Sequence, residues 1–252
     1  MGEARVCLIT GGGRGIGAAI AHRLAAEGHR IALTARSAGQ LDKVAATLPA
    51  ETCTVPADLT APGAVDDVFT AVERRWGPVE ILIANAGAGT SAPIPRITDA
   101  EWQSMLDLNL TVPFQCVRRA LPAMTAAGWG RIVAVASVAA KRGEPYIAAY
   151  TAAKHGLLGL VRAAAAETAS TGVTVNAVCP AYVDTPMTDS SVDAIAATTG
   201  RSPDDARATL ERKQPIGRLI TPEEVAGTVA LCVQNGAITG QGINVDGGAV
   251  QS

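Results

Sequence analysis

The sequence predicts an α/β domain in which a parallel sheet is covered by helices on both faces. Three observations predict it. Short β-branched runs alternate with longer Ala-rich stretches of helical period along the chain. The strand runs are almost continuously apolar, as strands covered on both faces must be. A glycine-rich turn follows the first strand directly and opens the first helix.

Strands are expected at Val6–Thr10, Arg30–Ala35, Thr52–Val55, Ile81–Asn85, Ile132–Ala136, Val173–Val178 and Gly242–Val245. Helical patterns fall near 15–27, 39–48, 61–75, 99–127, 148–170 and 221–234. Seven strands joined in this way make a doubly wound, seven-stranded parallel sheet, and right-handed crossovers leave few orders for it. No Pro/Gly/Ser tract interrupts the rhythm, so residues 1–252 read as a single domain. Residues 187–214 depart from it: they are polar, Ala-rich and helix-prone, with Ser202-Pro203-Asp204-Asp205 as a helix start. An excursion of this length is expected to be a substrate lid; the plainer alternative is a surface hairpin of helices.

Of the 252 residues, 48% are hydrophobic but only 3% aromatic, so Ala, Val, Leu and Ile must fill the core. The net charge is −2 and no Lys/Arg block stands out, which argues against a nucleic-acid partner. No apolar run approaches the ~20 residues that span a bilayer, and Met1–Ile9 is too short for a signal peptide. Cys7, Cys53, Cys116, Cys179 and Cys232 are odd in number and scattered, without a Cys/His cluster. Reduced core cysteines in a cytoplasmic protein with no metal site are therefore expected.

The turn reads Thr10-Gly11-Gly12-Gly13-Arg14-Gly15-Ile16-Gly17. Gly11 permits a tight turn, Gly15 lets backbone approach a pyrophosphate, and Gly17 lets the helix pack closely on the strand. A diphosphate would sit on the free N–H groups and positive end of that helix, so Gly11, Arg14, Gly15, Ile16 and Gly17 are cofactor-binding candidates. The spacing and position suit a Rossmann-type dinucleotide site. NAD sites usually carry an acid at the end of the second strand, whereas here Ala35 is followed by Arg36. A carboxylate repels a 2′-phosphate and a guanidinium grips it. Arg36 and Arg14 together predict NADP(H).

Tyr150 and Lys154 are four residues apart, hence on one face of a helix. An ammonium beside a phenol favours the phenolate and is expected to lower the tyrosine pKa. Tyr150 is thus a candidate to protonate a carbonyl oxygen or to deprotonate an alcohol. Ser137 ends the preceding strand, where the ligand crevice of such a sheet lies, and its hydroxyl can fix the same oxygen.

With these motifs in this order, the chain resembles the short-chain dehydrogenase/reductase family, of the single-domain kind, from about Arg5 to Gly248. The resemblance implies the sheet order 3-2-1-4-5-6-7. It implies that Asp58, with Leu59 beside it, contacts adenine, and that Asn85-Ala86-Gly87 stabilises the sheet and lines the adenosine ribose. It makes Asn109 the fourth catalytic residue beside Ser137, Tyr150 and Lys154, holding a water in a proton relay, with Lys154 also bonding the nicotinamide ribose. Pro180, Val183 and Thr185 fall in the segment under the nicotinamide. Ala181 stands where the family usually has glycine. The stretch from Thr239 to Gly248 implies subunit packing, commonly in a homotetramer.

Gly87–Pro95, Gly143–Tyr146 and Met187–Gln214 are expected to line the substrate pocket, with small or apolar residues such as Ala88, Ala92, Ile94, Pro145, Tyr146 and Met187. The pattern is most similar to 3-oxoacyl-thioester and polyketide ketoreductases of the family. Two alternatives stay open: a secondary-alcohol or hydroxyacyl-CoA dehydrogenase working oxidatively, and a dinucleotide-binding regulator without turnover.

Overall fold

The computed structural model describes residues 3–251. Its strands are β1 (Val6–Thr10), β2 (Arg30–Ala35), β3 (Thr52–Pro56), β4 (Ile81–Ala84), β5 (Gly130–Val135), β6 (Val173–Pro180) and β7 (Gly242–Val245). All neighbours pair in parallel, in the order β3-β2-β1-β4-β5-β6-β7, as expected. The order reverses direction between β1 and β4, and the ends of these two strands open the crevice where such sheets bind ligands.

The helices are α1 (Gly15–Ala26), α2 (Ala38–Ala45), α3 (Ala64–Trp76), α4 (Asp99–Leu106), α5 (Val112–Ala127), α6 (Ala148–Thr168), α7 (Pro186–Thr199), α8 (Pro203–Arg212) and α9 (Pro222–Gln234). Side chains alternate across β1, so its two faces feed two cores. Val6 and Leu8 join Phe69, Met124 and Leu157 from α3, α5 and α6. Cys7 and Ile9 join Ile20, Leu24, Val225 and Val229 from α1 and α9. Both sets are buried, which is why β1 carries no polar alternation.

Helix starts follow local chemistry. Thr98 with Glu101 and Thr221 with Glu224 form reciprocal capping boxes at α4 and α9. Ser202 caps α8 by accepting the Asp205 amide, with Pro203 in the first turn, as its sequence predicts.

The sequence predicts one helix over 99–127, and here the structure differs. A wide π-helical turn, Asp107–Thr111, separates α4 from α5. Pro113 has no N–H to give the Asn109 carbonyl, so the regular ladder fails there. The Asn109 side chain donates to the Met105 carbonyl at 3.1 Å. This break sets Asn109 on the inner side of the fold.

Residues 187–214 form a helical hairpin, α7 and α8, with a small core of Val192, Ala206, Leu210 and Leu219 against which Tyr182 packs.

Candidate active site

The glycine turn has the geometry that its composition predicts. Gly11 (φ 67°) and Gly15 (φ 54°) occupy the left-handed region. The Gly11 amide donates to the Thr34 carbonyl at 2.8 Å, which folds the turn back over β2. A Cβ on Gly17 would collide with the Gly11 carbonyl oxygen and stand 2.7 Å from Asn85 Nδ2, so only glycine lets α1 start this close. Arg14 precedes α1 in extended conformation and no side chain caps the helix. Its first amides are left to a ligand, and the turn fits a dinucleotide pyrophosphate on these grounds.

Asn85 staples the switch point. Its Nδ2 donates to the Thr10 and Gly11 carbonyls at 2.9 and 3.2 Å. The Asn85 and Ala86 amides each donate to Thr10 Oγ1 at 2.9 Å. Thr10, to which the sequence assigns no role, is therefore the acceptor that bends the chain away from β4.

Arg14, Arg36 and Asp58 are exposed at the strand ends on the β2–β3 side of this turn. Asp58 accepts the Thr60 hydroxyl at 2.7 Å and its amide at 3.0 Å. These bonds, with a smaller contribution from Arg36, hold its carboxyl below the usual carboxylate range. Leu59 is buried in the core, so its backbone alone can face a ligand.

Ser137 follows β5, and its Oγ accepts the Ala139 amide at 3.1 Å. Tyr150 lies in the first turn of α6, its phenol within the influence of the Ser137 hydroxyl. Lys154, one turn on, is 3% exposed and donates to the Val135 carbonyl at 2.9 Å. Its ammonium lies 5.5 Å from the Tyr150 ring centroid. Asn109 is fully buried, donating to the Ala88 carbonyl at 3.0 Å and accepting the Ala88 amide at 3.3 Å. A Cβ on Gly87 would stand 2.8 Å from Asn109 Oδ1 and 3.6 Å from Lys154 Nζ, so both groups converge on that glycine. The structure thus brings Asn109, Ser137, Tyr150 and Lys154 together.

The proton energetics differ from the sequence expectation. Burial pushes the Tyr150 phenol up to about 12, with the Ser137 hydroxyl opposing it. Burial also pulls the Lys154 ammonium down to about 8. Lys154 does not lower the tyrosine here, because desolvation outweighs a cation that points at the Val135 carbonyl. A phenol held protonated is a loaded acid, which suits transfer to a carbonyl oxygen.

Val183 is buried and bridges to Ile220, and Thr185 Oγ1 donates to the Val183 carbonyl at 3.3 Å. A Cβ on Gly15 would meet Thr185 Cγ2 at 3.2 Å, so this segment abuts the glycine turn. Pro180 ends β6, and the Ala181 amide donates to the Val245 carbonyl at 3.2 Å. Ala181 is not at positive φ, so its methyl needs no glycine geometry.

A family model described as short chain dehydrogenase matches residues 5–196. The chain belongs to the short-chain dehydrogenase family. This member is 39% identical to the 3-oxoacyl-[acyl-carrier-protein] reductase MabA of Mycobacterium tuberculosis, over 97% of this chain and 92% of the relative. It is 35% identical to a D-beta-hydroxybutyrate dehydrogenase of Rhizobium meliloti, over 97% and 98%. Among solved structures, it superposes on a single-residue variant of actinorhodin polyketide ketoreductase with NADPH at a TM-score of 0.92 and 36% identity, covering 98% of this chain and 97% of that one.

Proposed function

We propose that this short-chain dehydrogenase is an NADP(H)-dependent ketoreductase acting on a 3-oxoacyl thioester or related ketone. The observation that carries the reading is the convergence of Tyr150, Ser137, a buried Lys154 and Asn109 beside a glycine turn fit for a dinucleotide. The ketoreductase relatives support the substrate class.

Gly11, Arg14, Gly15, Ile16 and Gly17 hold the diphosphate, with Arg14 and Arg36 on the 2′-phosphate. Asp58 and the Leu59 backbone take the adenine; Asn85, Ala86 and Gly87 line its ribose; Pro180, Val183 and Thr185 hold the carboxamide end. When bound, the reduced cofactor supplies a hydride. Ser137 and Tyr150 orient and polarise the ketone oxygen, and Tyr150 Oη gives it the proton. Lys154 binds the nicotinamide ribose and, with water held by Asn109, returns a proton to Tyr150.

In this reading residues 1–252 are one catalytic domain, residues 187–214 are its lid, and the working form is a cytoplasmic homotetramer built partly on the 239–248 segment. None of the helices among the described residues is long and apolar enough to cross a membrane.

The test is a panel of ketones and alcohols, an acetoacetyl thioester included, with NADPH and NADH. Loss of reduced-nicotinamide absorbance with the thioester, and a preference for NADPH, is expected. No consumption with any ketone removes the reading. A faster reaction with hydroxyacyl substrates in the oxidative direction favours the second reading, which rests on the D-beta-hydroxybutyrate dehydrogenase relative.

A further inference from the structure

The loop between Ser137 and Tyr150 is tied to both flanks of the cleft. On one side, the Tyr146 carbonyl accepts the Ala92 amide at 2.7 Å, which joins it to the 87–95 loop. Tyr146 holds φ 71° and is the only non-glycine residue at positive φ among the described residues. Its side chain is exposed, so what holds this backbone is the Ala92 bond and not side-chain packing.

On the other side, Glu144 Oε1 accepts Lys213 Nζ at 2.7 Å and the Tyr182 hydroxyl at 3.1 Å. Lys213 lies 5.5 Å from the Tyr182 ring centroid and donates to its hydroxyl at 3.4 Å. Lys213 follows the last residue of α8, and Tyr182 packs against the core of the α7–α8 hairpin. Three segments distant in sequence therefore meet at one carboxylate oxygen. Glu144 lies in the same Ser137–Tyr150 loop, so this junction is tied by the chain itself to the two residues of the proposed reacting centre.

We propose that Glu144 is a specificity-determining strap, holding Lys213 and Tyr182 so that the hairpin stands close to the Gly143–Glu144 end of the loop and the pocket admits slender 3-oxoacyl chains but excludes fused-ring ketones. The proposal rests on the ketoreductase reading. Without the carboxylate, the Lys213 ammonium and the Tyr182 hydroxyl lose their shared acceptor. Arg207 still pairs with Asp184 at 2.6 Å, so the hairpin pivots on that edge rather than detaching. The slack that follows lies between the Gly143–Tyr146 stretch and the hairpin, both expected to line the pocket, and a ketone wider than a chain takes up that room.

The experiment uses the full chain with NADPH, comparing an acetoacetyl thioester with 2-tetralone. The variants are Glu144→Gln, Glu144→Lys, Lys213→Glu and the exchanged pair Glu144→Lys with Lys213→Glu. The readouts are the tetralone-to-thioester ratio of kcat/KM and, without cofactor, deuterium uptake over residues 203–213. Each single charge reversal is expected to raise the ratio about five-fold, through KM for the ring ketone, the scale of one partly exposed ion pair. Uptake quickens in parallel, and the exchanged pair restores both. An unchanged ratio in the single reversals, or an exchanged pair no nearer to native than they are, overturns the strap. If a reversal fails to fold, the same ratio and uptake read from Glu144→Gln decide the matter. A native chain that consumes no NADPH with either ketone overturns the ketoreductase reading itself, and the substrate claim with it.

Discussion

Replacing Lys154 with methionine should make the chain more stable at pH 7 while abolishing turnover. Burial holds the Lys154 ammonium near 8 instead of the usual 10.5. That gap amounts to about 3 kcal/mol against the charged form in the folded chain. Below pH 8 the lysine is charged in both folded and unfolded states, and the folded state bears the whole penalty. Between pH 8 and 10.5 the unfolded chain binds the extra proton, so native stability recovers as pH rises. Methionine fills a similar volume without the charge, but leaves the Val135 carbonyl without the 2.9 Å donor, at a cost of about 1–2 kcal/mol. Lys154→Met should therefore be more stable than native by about 1–2 kcal/mol at pH 7, and less stable by a similar amount near pH 10.5. Urea unfolding of both proteins without cofactor, at several pH values, measures this. Buried thiols away from the site, such as Cys7 and Cys116, are common to both proteins and drop out of the difference; Cys179, whose thiol interacts with Lys154, is replaced by alanine in both. A difference that does not change with pH, or a variant less stable at pH 7, refutes the reasoning.

Tyr150→Phe should lower kcat by about 10²–10⁴-fold while NADPH still binds, read by steady-state rates and cofactor fluorescence. Arg36→Asp should weaken NADPH binding about ten- to hundred-fold and leave NADH nearly unaffected, read by titration with each cofactor. With the Tyr150 phenol near 12, oxidation of an alcohol should accelerate with rising pH toward about 10, while ketone reduction stays flat from pH 6 to 8. Rate profiles in both directions check this, and a reduction rate that falls across neutrality would count against a protonated tyrosine.

The parts of this molecule that are legible in its sequence are those decided by local chemistry. The glycine turn could be read because positive φ at Gly11 and Gly15 and the closeness of Gly17 to the Gly11 carbonyl each demand a particular residue. The Tyr150–Lys154 spacing could be read because one helical turn fixes it. The break at Asp107–Thr111 was harder to see: the Asn109 side chain competing for the Met105 carbonyl, with Pro113 lacking a donor, interrupts an otherwise regular helical pattern. The carboxylate of Glu144 was invisible, since its partners lie 38 and 69 residues away and no spacing rule links them.

The least legible quantity was the charge state of the site, and it reorganises the mechanism. Adjacency of a phenol and an ammonium suggests a phenolate, yet adjacency is only one of the forces acting. Lys154 is directed at the Val135 carbonyl, and both groups lose water. Desolvation disfavours each charged form, so the tyrosine rises and the lysine falls. At pH 7 a phenol near 12 is ionised to about one part in 10⁵. The free protein therefore stands with its proton donor loaded and has to be changed before it can act as a base. Whatever lowers that barrier must place charge or hydrogen-bond donors at the Tyr150 oxygen, and the groups positioned to do so are Ser137 and the bound ligands themselves. Burial thus biases the resting site toward giving a proton, and the pH at which each direction runs fastest depends on how deeply the pair is buried as much as on which residues form it.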